Sequence, residues 1–87
     1  MDKIALLEKI KIRLTQFHME DSEMVFDNDD QNPILMELID EAIADVRLCR
    51  GYPSYYNEDK ISKDLEGFKK VIIDLVVNDY NKIGADF

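Results

Sequence analysis

Between Asn32 and Gly51 the apolar positions recur with helical spacing. At about 100° per residue, Leu35, Leu38, Ile39, Ala42, Val46 and Cys49 fall on one narrow arc, with Glu37, Asp40, Glu41, Ala44, Asp45 and Arg47 opposite. Asn32 suits an N-cap, Pro33 suits the first helical position, and Gly51 can take the left-handed conformation that ends a helix. The acids Glu37, Asp40 and Glu41 lie toward the start and Arg47 and Arg50 at the end, as the helix dipole favours. An amphipathic helix over 33–50 is the element around which the rest is expected to pack.

Upstream, Leu6, Leu7, Ile10, Leu14 and Phe17 share an arc, so a first helix is expected over about 2–17 with Asp2 at its cap. Ile4 and Ile12 fall off that arc, which leaves open a second contact surface or ordinary surface apolarity. Residues 18–31, HMEDSEMVFDNDDQ, hold six acids, no Lys or Arg and no helical period, and read as a long acidic loop. Met24, Val25 and Phe26 in its middle either fold back over the helices or offer a grip to a partner.

Downstream, Pro53 ends the central helix, and Tyr52, Tyr55 and Tyr56 suit either packing at a helix end or a binding patch. In the last element Leu65, Phe68, Val71, Ile72, Leu75, Val76 and Ile83 make a broad apolar arc, with Ile73, Val77 and Tyr80 a second stripe beside it. Either this helix is the buried centre of the bundle, or Ile73, Val77 and Tyr80 face another copy. Gly67 weakens its first part, and Gly84 is expected to stop it. The expected fold is therefore all-α: a small bundle of three main helices, about 2–17, 33–50 and 63–83, with a possible short extra helix near 58–66. Residues 1–87 read as one helical domain, with 85–87 a flexible tail.

An 87-residue chain has room for one core. At that size roughly 60–65% of the unfolded surface is buried, a margin that self-association would improve. The net charge of −8 is concentrated in residues 18–32, which sum to −6, while residues 2–17 sum to +2. Such an acidic chain lacks the basic face that tight nucleic-acid binding needs. The single Cys49 excludes an internal disulfide; on the apolar arc it is expected to be a small buried thiol, in a reduced intracellular setting. No segment approaches the roughly 18 apolar residues of a membrane span, and the charged N-terminal stretch does not read as a signal peptide.

Chemistry is sparse. Asp27 to Asn32 suggests a calcium loop, but with Asp27 first, Asn32 stands where glycine is needed and Leu38 where the bidentate glutamate is needed. His18 is the only histidine, no serine lies in a nucleophile elbow, and the glycines are isolated. No catalytic, metal or cofactor-binding residues are assigned, and an enzyme is not expected.

The central ILMELIDEAIADVRLCRGY carries Leu38, Ile39, Ala42, Ile43 and Val46, followed by Cys49, Gly51 and Tyr52. Leu65, Glu66 and Gly67 then precede Val71 to Val77, and Tyr80-Asn81-Lys82-Ile83-Gly84 follows. Across essentially the whole chain this pattern resembles the small all-helical head-tail connector family of tailed bacteriophages and prophages, also called head-completion or DNA-packaging adaptor proteins. The match is one of pattern and spacing and includes no catalytic signature. The resemblance implies a structural subunit of a homo-oligomeric ring that docks on the portal protein, meets tail or head-completion proteins and extends the DNA channel. DNA would pass without being tightly bound, and no membrane would be involved. The implied setting is the host bacterial cytoplasm during assembly and the head-tail junction of the virion. Family members often carry a further polar segment after the last helix, which is expected to be missing or very short here.

The residues expected at oligomer or partner contacts are Ile73, Val77, Tyr80, Met24, Val25 and Phe26. The alternative is a small acidic helical binding or regulatory module, monomeric or dimeric, whose acidic loop meets a basic partner. Salt separates the two, since loop-driven pairing weakens steeply with ionic strength and apolar packing does not.

Overall fold

The computed structural model describes residues 1–85. Its elements are α1 (Lys3–Arg13), β1 (Phe17–Glu20), β2 (Glu23–Phe26), a 3-10 turn (Asp29–Gln31), α2 (Asn32–Arg50), α3 (Glu58–Glu66) and α4 (Lys69–Ala85). The protein is helix-dominated but not all-α, because the expected acidic loop contains an antiparallel hairpin.

Helix α1 begins where its sequence suggests. The Asp2 carboxylate accepts from the backbone N–H of Ile4 at 2.9 Å and of Ala5 at 3.2 Å, satisfying two donors that the first turn leaves without partners. It ends earlier than expected, at Arg13. The Thr15 N–H donates to the Ile12 carbonyl and the Gln16 N–H to the Lys11 carbonyl, a Schellman-type close that puts Thr15 at φ +56°. Phe17 therefore leaves the helix and opens β1.

Strands β1 and β2 pair Phe17 with Phe26, His18 with Val25, Met19 with Met24 and Glu20 with Glu23. The two-residue connection, Asp21 and Ser22, has positive φ at both positions, as the tight turns that match strand twist require. After β2, Asn28 takes φ +57° and the 3-10 turn feeds straight into α2. Asn32 is consequently the first residue of α2 rather than its N-cap, and Gln31 in the cap position makes no side-chain cap bond. At the other end Gly51 sits at φ +60° and its N–H reaches the Arg47 carbonyl at 3.0 Å, closing the helix as expected.

The extra helix near 58–66 is α3. Asn57 caps it by accepting from the Lys60 N–H at 2.9 Å. The Gly67 N–H bonds to the Asp64 carbonyl and the Phe68 N–H to the Leu65 carbonyl, short-range contacts that tighten the chain. The expected third helix over 63–83 is thus divided between α3 and α4. Gly84 does not stop α4, which runs to Ala85; of the expected tail, Asp86 and Phe87 lie outside the described residues.

All four helices contribute to one core. Leu6, Leu7 and Ile10 come from α1, and Leu35, Leu38, Ile39, Ala42 and Val46 from α2. Ile61 and Leu65 come from α3, and Ile72, Ile73 and Val76 from α4. The α2 residues are the arc read from the sequence, except that Cys49, one turn beyond Val46, is exposed rather than buried. No described helix is long and apolar enough to cross a membrane.

Candidate functional site

The base of the hairpin is fixed by a lysine inside the protein. Lys11, 2% exposed, donates from Nζ to Asp29 Oδ1 at 3.0 Å and to Asn32 Oδ1 at 2.8 Å, with the Phe26 ring centroid 6.0 Å away. A buried ammonium is tolerated only where its charge and donors are met, and Asp29 and Asn32 meet them from the strand-to-helix junction. The Asp27 N–H donates to the Gln16 carbonyl at 2.9 Å. The Gln16 amide donates to the Tyr80 hydroxyl at 3.1 Å, and that hydroxyl donates to Gln31 at 3.4 Å. Buried Gln16 Oε1 has no partner among the described residues. The end of α1, the hairpin, the start of α2 and the last third of α4 are thereby linked.

Side chains on a strand alternate between faces, so Phe17, Met19, Met24 and Phe26 share one side of the hairpin while His18, Glu20, Glu23 and Val25 share the other. Phe17 and Phe26 are half-buried at the base; Met19 and Met24 continue the apolar side into solvent. Of the middle-loop residues, Met24 and Val25 are exposed and Phe26 turns back toward Lys11. On the polar side, His18 Nδ1 lies 2.6 Å from Asp27 and Nε2 lies 3.3 Å from Glu20. Only the imidazolium can donate to both carboxylates, and these bonds, Asp27 first, raise the His18 pKa above its ordinary 6.5.

Ile73 is 7% exposed and lies in the core; Val77 and Tyr80 are half-buried against it. Helix α1 packs across this side of α4, which gives the second apolar stripe a partner within the same chain. The hollows on the described surface include the following. An apolar groove of about 330 Å³ between α2 and α4 is lined by Val46, Cys49, Phe68, Val71 and Leu75, with Asp45 and Arg50 at its edges. A notch of about 270 Å³ between α1 and α4 has Ile12 and Ile73 as its apolar lining and Lys9 and Arg13 as its charged lining. An open cleft of about 850 Å³ under the α2–α3 turn includes Ile43, Leu48, Tyr52 and Tyr56, beside the paired charges Lys3–Asp40 and Arg47–Glu58.

At that cleft the Tyr52 and Tyr56 rings stack at 6.0 Å, and Tyr55 meets Tyr56 edge-on at 5.3 Å. Leu48 is 82% and Tyr55 78% exposed, so this end presents apolar surface to solvent as well as packing. Behind it Asp64 accepts from Arg50 at 2.8 and 3.1 Å and from the Tyr52 hydroxyl at 2.5 Å. The Arg50 guanidinium, then the Tyr52 hydroxyl, hold the Asp64 carboxyl below its usual range; burial and Asp64 together push the Tyr52 hydroxyl up. This clamp ties the end of α2 to α3.

Among the described residues no three His, Cys, Asp or Glu side chains converge on a point that could hold a metal ion. The buried Lys11 was readable only in retrospect: it falls between Leu7 and Leu14 at spacings of four and three, on the apolar side of α1, and the acids able to meet it lie in the following segment. No family model, no curated protein and no solved structure matches this chain.

Proposed function

We propose that this chain is a structural assembly subunit of the head-tail connector kind, acting by geometry with no bond made or broken. The observation that supports this reading is the uncovered α2–α4 groove. Its lining residues Val46, Cys49, Val71 and Leu75 belong to the two segments that carry the resemblance, and Val71 remains 46% exposed in a single copy. In this reading copies of the chain form a ring that docks on the portal protein and extends the DNA channel. The acidic balance, −8 overall, keeps the phosphate backbone from adhering as DNA passes.

The second reading, a small acidic binding module, is favoured by the hairpin segment, which concentrates six acids with no Lys or Arg. Its partner would be a basic surface. The deciding experiment is the native mass of the purified protein by sedimentation or light scattering across concentration, alone and with candidate portal protein. Discrete large oligomers, or a ring formed only on the portal, are expected for an assembly subunit. A monomer at every concentration that ignores the portal sinks that reading and leaves the binding module.

A further inference from the structure

We propose that the outer edge of β2 takes a third strand, an extended segment of another protein in which Lys or Arg alternates with apolar residues. This inference rests on the binding-module reading and names the kind of basic partner it would take.

The register identifies the free backbone groups. The Asp27 N–H donates to the Gln16 carbonyl at 2.9 Å, so Gln16 and Asp27 form a hydrogen-bonded pair one step beyond Phe17 and Phe26. Bonded and non-bonded pairs alternate along an antiparallel ladder. His18 with Val25 and Glu20 with Glu23 therefore bond inward, while Met24 and Phe26 turn their N–H and C=O groups outward from β2. Those outward groups meet no backbone or side-chain partner among the described residues. The two strands pack chiefly on each other rather than along a helix. A lone two-stranded hairpin is marginal in water, and a strand added to an open edge supplies the missing main-chain bonds.

The side chains set what the added strand must carry. Along β2, Glu23 and Val25 face one side and Met24 and Phe26 the other. An added strand alternates in the same way, so its basic residues fall beside Glu23 and its apolar residues beside Met24. Glu23 and the turn residue Asp21 are exposed, and neither has a cation within ion-pair distance among the described residues. Met24 is 43% exposed, and its flexible thioether adapts to an apolar neighbour. The β1 edge is the poorer one for a cation, because the polar side of that strand carries His18, with Glu20 already bonded to it. A second copy's hairpin is disfavoured as the occupant, since its acids would lie against Glu23. Like charges are how exposed edges resist pairing with their own kind.

The test is titration of the full chain with a short peptide alternating lysine and valine, read by NMR and amide exchange. Binding should slow exchange at the Met24 and Phe26 amides by about tenfold or more and leave the helical amides unchanged. Methylating the peptide's backbone nitrogens keeps its charge and side chains but removes its donors, and should weaken binding by about tenfold or more. A peptide of the same composition with its lysines and valines in two blocks should bind more weakly by a similar factor. Glu23→Gln should weaken binding by about threefold, with the difference shrinking as salt is added. Met24→Pro removes an outward donor without breaking an inward bond, and should weaken binding too; if it opens the hairpin, the methylated peptide decides. If the methylated or block peptide binds as tightly, or Met24 and Phe26 gain no protection, strand addition is wrong while the binding-module reading stands. If neither the alternating nor the block peptide binds at low salt, the binding-module reading itself falls and takes the added strand with it.

Discussion

The ammonium of Lys11, almost wholly removed from water, is held 3.0 Å from a carboxylate of Asp29 that is itself mostly exposed. The asymmetry decides what each deletion costs. Lys11→Met removes the buried charge, returns Asp29 to water and leaves an apolar side chain of similar length, so the net loss should stay within about 1 kcal/mol. Asp29→Ala leaves the buried ammonium with Asn32 as its remaining side-chain acceptor and should cost about 1–3 kcal/mol. Urea midpoints compare them. A larger loss for Lys11→Met than for Asp29→Ala would mean that the lysine's bonds outweigh its desolvation.

Thr15 closes α1 in a conformation that suits glycine. A β-branched residue at φ +56° sets its Cβ against the neighbouring carbonyl at a cost of about 1–2 kcal/mol. Thr15→Gly removes that strain but gives the unfolded chain more freedom, leaving an expected gain of about 0.5–1 kcal/mol. A raised denaturation midpoint with an unchanged slope is the result to look for; a lowered midpoint would show that the Thr15 hydroxyl bond to the Leu14 carbonyl matters more than the strain.

His18 makes the hairpin sensitive to pH. Its pKa is raised by Asp27 and then Glu20, so the folded state binds the proton more tightly than the unfolded one. The stabilisation is therefore fully present below the unfolded value of 6.5 and disappears as pH rises through the higher folded value. Amide exchange across Phe17–Phe26 should accelerate over that range beyond its ordinary base catalysis. His18→Gln should abolish the excess, and an imidazole that titrates by NMR at its ordinary value would remove the basis for it.

The clamp at the other end has the opposite sign. Asp64 is held below its ordinary 3.8 by Arg50 and then Tyr52, so its contribution is present above that value and is lost as pH falls through the folded one. Between about pH 5 and about pH 3, wild type should lose more thermal stability than Asp64→Asn, since the variant has no carboxylate to protonate at this site. Equal losses would mean that the three side chains contribute little in water, as exposed ion pairs often do.

What the sequence made legible was whatever depends on spacing along one element. The arc from Leu35 to Val46 became the α2 share of the core, Gly51 closed that helix, and Gly67 marked the break between α3 and α4. What it hid depends on distant partners. The hairpin strands are four residues each and turn through Asp-Ser, a weaker signal than Asn-Gly, while Phe17 continued the α1 arc well enough to read as helix. Cys49 shares the α2 arc but lies one turn past the packed Val46, and Asn32 lost its cap role because the 3-10 turn runs directly into it. Ile73 is buried because α1 lies across it, a fact about packing that periodicity does not contain.

The two apolar sides of α4 should consequently respond differently to the same substitution. Val71 faces the open α2–α4 groove and is nearly half exposed, so an aspartate there can reach water and the fold should survive. If the groove takes part in assembly, Val71→Asp will weaken it by placing a charge where another surface packs, with helical content and urea midpoint close to wild type. Ile73→Asp puts the same carboxylate into the α1–α4 contact, where the transfer of an unpaired charge opposes folding and should destabilise by about 3 kcal/mol or more. Paired measurements of urea midpoint and native mass separate these effects. A folded Val71→Asp protein that still assembles removes the groove from the assembly surface, whereas a folded Ile73→Asp protein would mean that α1 does not cover α4 as described.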